Sequence, residues 1–404
     1  MSEWKEVRLQ EVTDIIGDGI HGTPSYDNNG EYYFINGSNL CDGKIVINND
    51  TKRVNYEEFL KHKKELNQNT ILISINGTIG NTALYQGEKC ILGKSACYIN
   101  VNHLYDKYFI YYILSSRKFS RSISFQANGT TIKNVSLKQI REYSFFIPST
   151  YEDQKDISSI LRHIDAKIET NNKLNEKLEE MAQAIFKSWF VDFEPFKNQP
   201  FHKTELGMIP KGWEVGIFED IANIVGGGTP SKQKQEYYTE DGIAWLTPKD
   251  LSLVNKKFTS KGAIDITKLG YEKSSAKLMP KGSVLFSSRA PIGYITIAKN
   301  EICTNQGFKS AVPQKAGTAF IYYLLKNKTP EIENMATGST FKEASGTLMK
   351  TLRIIIPIKE VLDNFEKIME PIFNMQLSVE EENDRLASLR DTLLPRLMSG
   401  EIKI

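Results

Sequence analysis

The 404-residue chain has little of what marks an enzyme, a secreted protein or a membrane protein. It has four cysteines, Cys41, Cys90, Cys97 and Cys303, with no CxxC pair and no histidine partner at metal spacing. That excludes a disulfide framework or a zinc finger, and predicts reduced, buried thiols. Five histidines are scattered along the chain, at His21, His62, His103, His163 and His202, without an HExxH pattern or an obvious triad. The longest apolar runs, Phe145–Pro148 and Ile354–Ile358, are far short of the roughly 20 residues that span a bilayer. The polar, charged start from Met1 to Arg8 is unlike a signal peptide, so a cytoplasmic location is expected. Excess charge is also lacking, at a net +2.

The distribution of charge is more telling than the total. Residues 1–150 carry a net +2, 151–197 carry −3, 198–357 carry +7 and 358–404 carry −4. Two basic stretches thus alternate with two acidic ones. A phosphate-binding surface needs local positive charge, which an unremarkable average does not exclude. With 40% apolar and 25% charged residues, the composition is that of a soluble globular chain with room for two or three domains.

The two halves repeat each other with a period of about 210 residues, which signals a duplicated domain and not a solenoid. Trp4 matches Trp213. Ile16-Gly17-Asp18-Gly19 leading to Thr23-Pro24-Ser25 matches Val225-Gly226-Gly227-Gly228 leading to Thr229-Pro230-Ser231. Ile71–Ser74 followed by Ile79-Gly80 matches Val284–Ser287 followed by Ile292-Gly293. Lys94-Ser95-Ala96 matches Lys309-Ser310-Ala311, and Ala127–Lys133 matches Ala336–Lys342. Each unit closes on Ile-Pro, at Pro148 and Pro357. Short alternating runs such as Glu31–Ile35 and Gly282–Phe286 read as strands, and each unit has one tyrosine-rich amphipathic helix, Tyr105–Leu114 and Ala319–Leu325.

A long helix is expected after each unit. In the first, Ile157, Leu161, Ile164, Ile168, Leu174, Leu178, Met181 and Ile185 form one seam, interrupted by Asn171 as a register-setting polar residue would interrupt it. In the second, Leu386, Leu389, Leu393 and Leu397 share a face, at positions matching Leu178, Met181, Ile185 and Trp189. Pro371 predicts a kink or a fresh start. A length of about 36 residues, roughly 54 Å at 1.5 Å each, favours two helices packed on one another.

These residues carry a family resemblance. Ala184–Phe196, with Trp189-Phe190-Val191-Asp192-Phe193-Glu194-Pro195, closely resembles the end of the central conserved helix of type I restriction–modification specificity subunits. Glu205–Trp213 resembles that family's lead-in to its second recognition domain, and Leu393–Ile402 its C-terminal signature. The likeness runs through the whole chain in the family's order. It implies an α+β fold of two similar target-recognition domains, 1–150 and 199–357, separated by two conserved spacer helices, 151–198 and 358–404, packed as an antiparallel coiled coil. It also implies a non-catalytic subunit. Each domain would read half of a bipartite, asymmetric duplex DNA site, the helices would fix the gap, and two methyltransferase subunits would dock on them. Motor–nuclease restriction subunits would add cleavage, and S-adenosylmethionine, ATP and Mg²⁺ would belong to those partners. Two domains on a stiff spacer suit one groove face about 34 Å apart, one helical turn.

Glycine- and hydroxyl-rich repeated loops are the expected DNA contacts, because they let backbone approach phosphates while side chains reach base edges. In the first domain they supply Thr23, Ser25, Tyr26, Asn36, Asn76, Thr78, Lys94, Asn128, Thr130 and Lys133. In the second they supply Thr229, Ser231, Lys232, Lys249, Ser288, Arg289, Lys309, Ser339, Thr340 and Lys342. Asn36, Ser38 and Asn39 pair with Thr247, Lys249 and Asp250, a pattern that turn chemistry also explains. Arg289 has the fork that fits guanine, although an ion pair or phosphate contact is the plainer role. Lys133 and Lys342 suit phosphates or a solvated face. Spacer or partner-docking candidates are Ile164, Asn171, Leu178, Ile185, Trp189, Phe190, Phe193, Leu386, Leu393 and Leu397. The aromatics among them are more plausible as packing than as base-stacking groups.

Two rivals are a self-contained methyltransferase or nuclease with fused recognition domains, and a protein-binding adaptor. The first lacks support: no Pro-Pro occurs, so the Asn/Asp-Pro-Pro-Tyr/Phe motif of adenine methyltransferases is missing. Gly226-Gly227-Gly228 lacks cofactor-loop spacing, and Gly93-Lys94-Ser95 lacks the upstream glycine of a phosphate loop, since position 88 is Glu88. Cofactor binding by the purified chain would favour the first rival. Absence of salt-dependent DNA affinity would favour the second.

Overall fold

A computed structural model describes residues 3–126, 134–253, 256–338 and 342–402. Asn128, Thr130, Lys133, Ser339 and Thr340 lie outside the described residues. The chain divides into two compact units, Met1–Glu169 with Arg385–Ile404, and Thr170–Asp384. The divisions fall inside the two long helices, so each unit is one α+β domain plus a segment of both helices.

In the first unit, the strands Thr13–Asp18, Ala96–Val101, Thr70–Ser74 and Thr82–Leu84 form an antiparallel sheet in that order. The strand Thr70–Ser74 is buried at every position, as a central strand with both faces covered must be. A smaller sheet sets Tyr32–Ile35 parallel to Cys90–Leu92. Trp4–Arg8 pairs with Ser144–Pro148, joining the two ends of the domain. The core gathers Ile71, Ile99, Phe109, Ile113, Phe119 and Ile147, with Ile157, Leu161 and Leu397 from the long helices.

The second unit repeats the plan. Its sheet runs Ala222–Gly226, Lys309–Pro313, Val284–Ser288 and Ile292–Ala298, with Phe258–Thr259 added at the edge. Cys303-Thr304 lies parallel to Trp245-Leu246, and Glu214–Ile217 pairs with Arg353–Ile356. The expected helix Ala319–Leu325 extends as Thr318–Met335. Cys90, Cys97 and Cys303 are buried, and burial pushes the Cys90 and Cys303 thiols up to about 12. Cys41 is exposed, contrary to the expectation of four buried thiols.

The ladders correct two sequence matches, and the first is the glycine turn, where Asp18 and not Gly17 is the counterpart of Gly226. Lys94 precedes its strand, whereas Lys309 opens one. Cys97 lies opposite Asp18, and Lys309 lies opposite Gly226. The Gly93 amide donates to Ile35 O as the Asn305 amide donates to Leu246 O, so Lys94 corresponds to Gln306 and Lys309 to Cys97. The Lys-Ser-Ala likeness is three residues out of register, which one-dimensional matching of short motifs cannot detect.

Both long helices run 40 residues, Tyr151–Phe190 and Lys359–Met398. Their segments are antiparallel within each unit: Asp165 meets Arg390 in the first, and Asn171 meets Asn383 and Glu179 meets Gln376 in the second. Pro371 neither breaks nor restarts its helix. The lost hydrogen bond and clash cost about 3 kcal/mol. Phe365 and Met369 before it, with Ile372 and Phe373 after it, all pack on the core and outweigh that cost. The seam also differs from its apolar spacing. Leu174, Met181 and Leu389 are exposed. In the second unit the buried line on the first helix is Asn171, Ala182, Phe186 and Phe190, with Leu178 and Ile185 half-buried. Polar partners across the helices set this phase: Asn171 Nδ2 donates to Glu382 Oε2 at 2.7 Å and to Asn383 Oδ1 at 2.9 Å.

A buried ion pair locks the second domain to its helix segments. Lys257, 8% exposed, places Nζ 3.0 Å from Glu179 Oε2, 2.7 Å from the Tyr323 hydroxyl and 2.8 Å from Gln376 Oε1. The Tyr323 hydroxyl donates to Glu179 Oε2 at 2.8 Å, and Lys326 Nζ donates to Glu179 Oε1 at 2.6 Å. Burial alone would raise the Glu179 carboxyl, but Lys257 and Lys326 outweigh it and hold it at about 2. Burial lowers Lys257 to about 8 despite Glu179.

Because Glu179 is depressed from an ordinary 4.5, its stabilising contribution is complete above pH 4.5 and is lost as pH falls toward 2. Lys257, depressed from 10.5, adds stability as pH rises from about 8 toward 10.5. Glu179→Gln leaves buried Lys257 with only the weaker attraction of Glu380 and is expected to cost about 3 kcal/mol at pH 7. Thermal unfolding at pH 7 and pH 3 checks this: the wild type should lose more Tm between the two than the variant. Equal losses would show that Glu179 is not the titrating group.

Candidate nucleic-acid interface

In the first unit, the loops that follow three strands converge. After Tyr32–Ile35 come Asn36 to Asn39; after Thr70–Ser74 come Asn76 to Thr78; after Cys90–Leu92 come Gly93 to Ser95. Ser95 Oγ donates to Asn36 Oδ1 at 3.1 Å and accepts from the Gly37 amide at 2.9 Å. Thr78 Oγ1 donates to Gly37 O at 3.3 Å. A side chain at Gly37 would strike Ser74 Oγ and one at Gly93 would strike Asn36 Oδ1, so glycine is needed for the loops to pack this closely. Lys94 stands exposed at this junction. Thr23, Ser25 and Tyr26 are exposed on a neighbouring loop, anchored by the Ser25 amide donating to Glu58 Oε1 at 3.0 Å and by the Tyr26 ring 5.8 Å from that of Phe34.

The second unit builds the same junction with different residues. The Thr247 amide donates to Asp250 Oδ2 at 2.7 Å, as the Asn36 amide donates to Asn39 Oδ1 at 3.0 Å. Lys249, beside it, is exposed. Thr229 Oγ1 bonds Gln306 Oε1, while Ser231 and Lys232 are exposed on the same loop. Ser288 is buried and donates to Gly307 O at 3.1 Å, so it supports the loop from within. Arg289 Nη1 lies 3.3 Å from Glu343 Oε2, and Lys309 Nζ lies 3.2 Å from Glu343 Oε1. Lys342 is exposed, its Nζ 3.4 Å from Glu333 O.

Each junction is therefore a polar, glycine-rich surface at one end of a sheet, with lysines at its rim. Such a surface suits phosphate oxygens and base edges. No group of three or more His, Cys, Asp or Glu placed to hold a metal occurs among the described residues. Glu343 is the residue that sequence reasoning missed. An acid directly after Lys342 in a repeated basic loop was the available signal.

The helix candidates separate into two kinds. Ile164 and Leu397 are buried in the first unit, where Leu386 and Leu393 are half-buried. Trp189, Phe190, Phe193 and Phe196 pack with Trp213, Phe320 and Phe365 in the second unit. Phe190 is thus core, which removes it as a surface for a partner. In the second unit Leu174, Met181, Ile368 and Met375 are exposed apolar residues of the two long helices.

Comparison with known proteins gives consistent matches. The family described as "Type I restriction modification DNA specificity domain" matches residues 1–180 and 210–386. The chain is 39% identical over 180 residues to the type I restriction enzyme MjaIX specificity subunit of Methanocaldococcus jannaschii, covering 42% of this chain and 41% of that protein. It is 28% identical over 338 residues to the type I restriction enzyme HindI specificity subunit of Haemophilus influenzae, covering 69% and 73%. Its fold is similar to the crystal structure of a type I restriction-modification S subunit from M. genitalium, with a TM-score of 0.60, 18% identity, and coverage of 98% and 96%.

Lys342 offers the simplest test of the rim. Lys342→Ala is expected to weaken duplex DNA binding for all sequences alike and to flatten the log–log salt slope by about one. Fluorescence anisotropy over a salt series checks it. A loss confined to one sequence would instead make Lys342 a base reader.

Proposed function

The chain belongs to the type I restriction–modification DNA specificity family, and on that premise we propose that it reads a bipartite, asymmetric duplex DNA target without catalysing a reaction itself. One observation carries the reading. The two units have the same strand order and bring corresponding loops together through corresponding hydrogen bonds, but with different side chains. Duplicated surfaces with unlike residues are suited to two half-sites of unlike sequence.

The paired helices are the natural spacer. They run unbroken for 40 residues each, and inter-helix hydrogen bonds at Asn171 fix their register. Leu174, Met181, Ile368 and Met375 give partner subunits an apolar surface on the second unit. Those partners are two methyltransferase subunits, joined by motor–nuclease subunits where restriction accompanies modification. S-adenosylmethionine, ATP and Mg²⁺ belong to them, and an adenine flipped from the duplex enters the methyltransferase pocket.

Exchange of residues 1–150 for the matching domain of another specificity subunit tests this. Methylome sequencing of cells carrying the chimera and its methyltransferase should show one half-site changed and the other retained. A change in both, or no bipartite motif from the parent chain, would contradict the proposal.

A further inference from the structure

One position recurs at the heart of both junctions, and four backbone hydrogen bonds establish the equivalence. The Ile75 amide donates to Ser95 O as the Ser288 amide donates to Gly307 O. The Val135 amide donates to Ile75 O as the Ala344 amide donates to Ser288 O. Asn76 therefore corresponds to Arg289, and Asn134 to Glu343. The first unit places a neutral pair there, Asn76 bridged to Asn134 through backbone. The second unit places an ion pair there, Arg289 with Glu343 at 3.3 Å.

We propose, resting on the DNA-reading function above, that residues 76 and 289 are the matched base-reading positions of the two domains, with Arg289, held by Glu343, facing guanine.

The chemistry of each pair supports the assignment. Arg289 uses one donor on Glu343, leaving a fork able to take the O6 and N7 acceptors of guanine. Glu343 neutralises one of the two cations gathered here, which weakens the pull on a phosphate but leaves the hydrogen-bonding fork free for the neutral guanine edge. The carboxylate is itself held by Lys309, whose Nζ lies 3.2 Å from Glu343 Oε1 and 3.5 Å from Ser288 Oγ. Glu343 is thus a positioning residue. In the first unit, Asn76 is half-buried and its amide oxygen is enclosed by protein, so this position offers a neutral side chain without the fork that Arg289 presents.

The test transfers one pair into the other unit. Cells carrying the methyltransferase and the double variant Arg289→Asn, Glu343→Asn are analysed by methylome sequencing. In the half-site read by residues 199–357, one position should lose its preference for guanine, and the other half-site should stay as it was. The purified complex is then titrated with the wild-type target duplex, the same duplex altered at that pair, and an unrelated duplex. Wild-type protein should discriminate roughly ten- to hundredfold at that pair. Arg289→Lys should lose the discrimination with its salt slope unchanged.

An unchanged motif, or a uniform loss across all three duplexes with the slope reduced by about one, would overturn the assignment. Should the double variant fail to fold, judged by its Tm, the reciprocal pair Asn76→Arg, Asn134→Glu tests the same claim in the first half-site. A wild-type chain that yields no bipartite motif would instead refute the underlying DNA-reading function.

Discussion

A partly buried carboxylate on the first long helix anchors the adjoining domain in each unit. In the second unit, Glu179 accepts from the Tyr323 hydroxyl, Lys257 and Lys326. In the first, Asp165 Oδ2 accepts from the Tyr112 hydroxyl at 2.7 Å and Oδ1 from Arg390 Nη1 at 2.9 Å. Tyr112 and Tyr323 occupy matching helices of the duplicated domains. Buried charge is a poor source of net stability, but it tolerates few geometries. What these contacts supply is a fixed seating of each domain on its helix segments, to which the aromatic packing of Phe186, Phe190 and Phe365 adds the hydrophobic contribution.

That seating gives the function its physical sense. A spacer conveys its length to a reader only if the reader cannot slide or pivot on it. The domain cores take in residues of both helices, Ile157, Leu161 and Leu397 in one unit and Phe186, Phe365 and Met369 in the other. Neither compact unit exists apart from the helices, which is why the divisions between units fall within them and not at their ends. Loops at the strand ends are then free to differ between domains without disturbing the frame, as the Asn76–Asn134 and Arg289–Glu343 pairs show.

Much of this was legible in the sequence. The duplication, the strands at Ile71–Ser74 and Val284–Ser287 and the long helices follow from periodicity and repeated turns, which are local properties. Asn171 was legible as the polar interruption of its helix. The failures share a cause, namely that packing partners are distant in sequence. Leu174 and Met181 fit a heptad, yet polar contacts from Asn383 and Gln376 rotate the helix so that Asn171 and Glu179 face inward. Lys94 and Lys309 share a tripeptide but not a register, and only the ladders reveal it. Pro371 obeyed a local rule that burial on both sides overrode. Glu343 went unnoticed in the sequence, because its two cationic partners lie 54 and 34 residues away.

The central claim is that the paired helices set the distance between the half-sites. Insertion of four residues after Asn171, matched by four in the second helix after Glu382, lengthens the pair by about 6 Å. Methylome sequencing of cells carrying this variant and its methyltransferase reads the result directly. The same two half-sites separated by a gap about two base pairs wider are expected. The same half-sites at the original gap would contradict it.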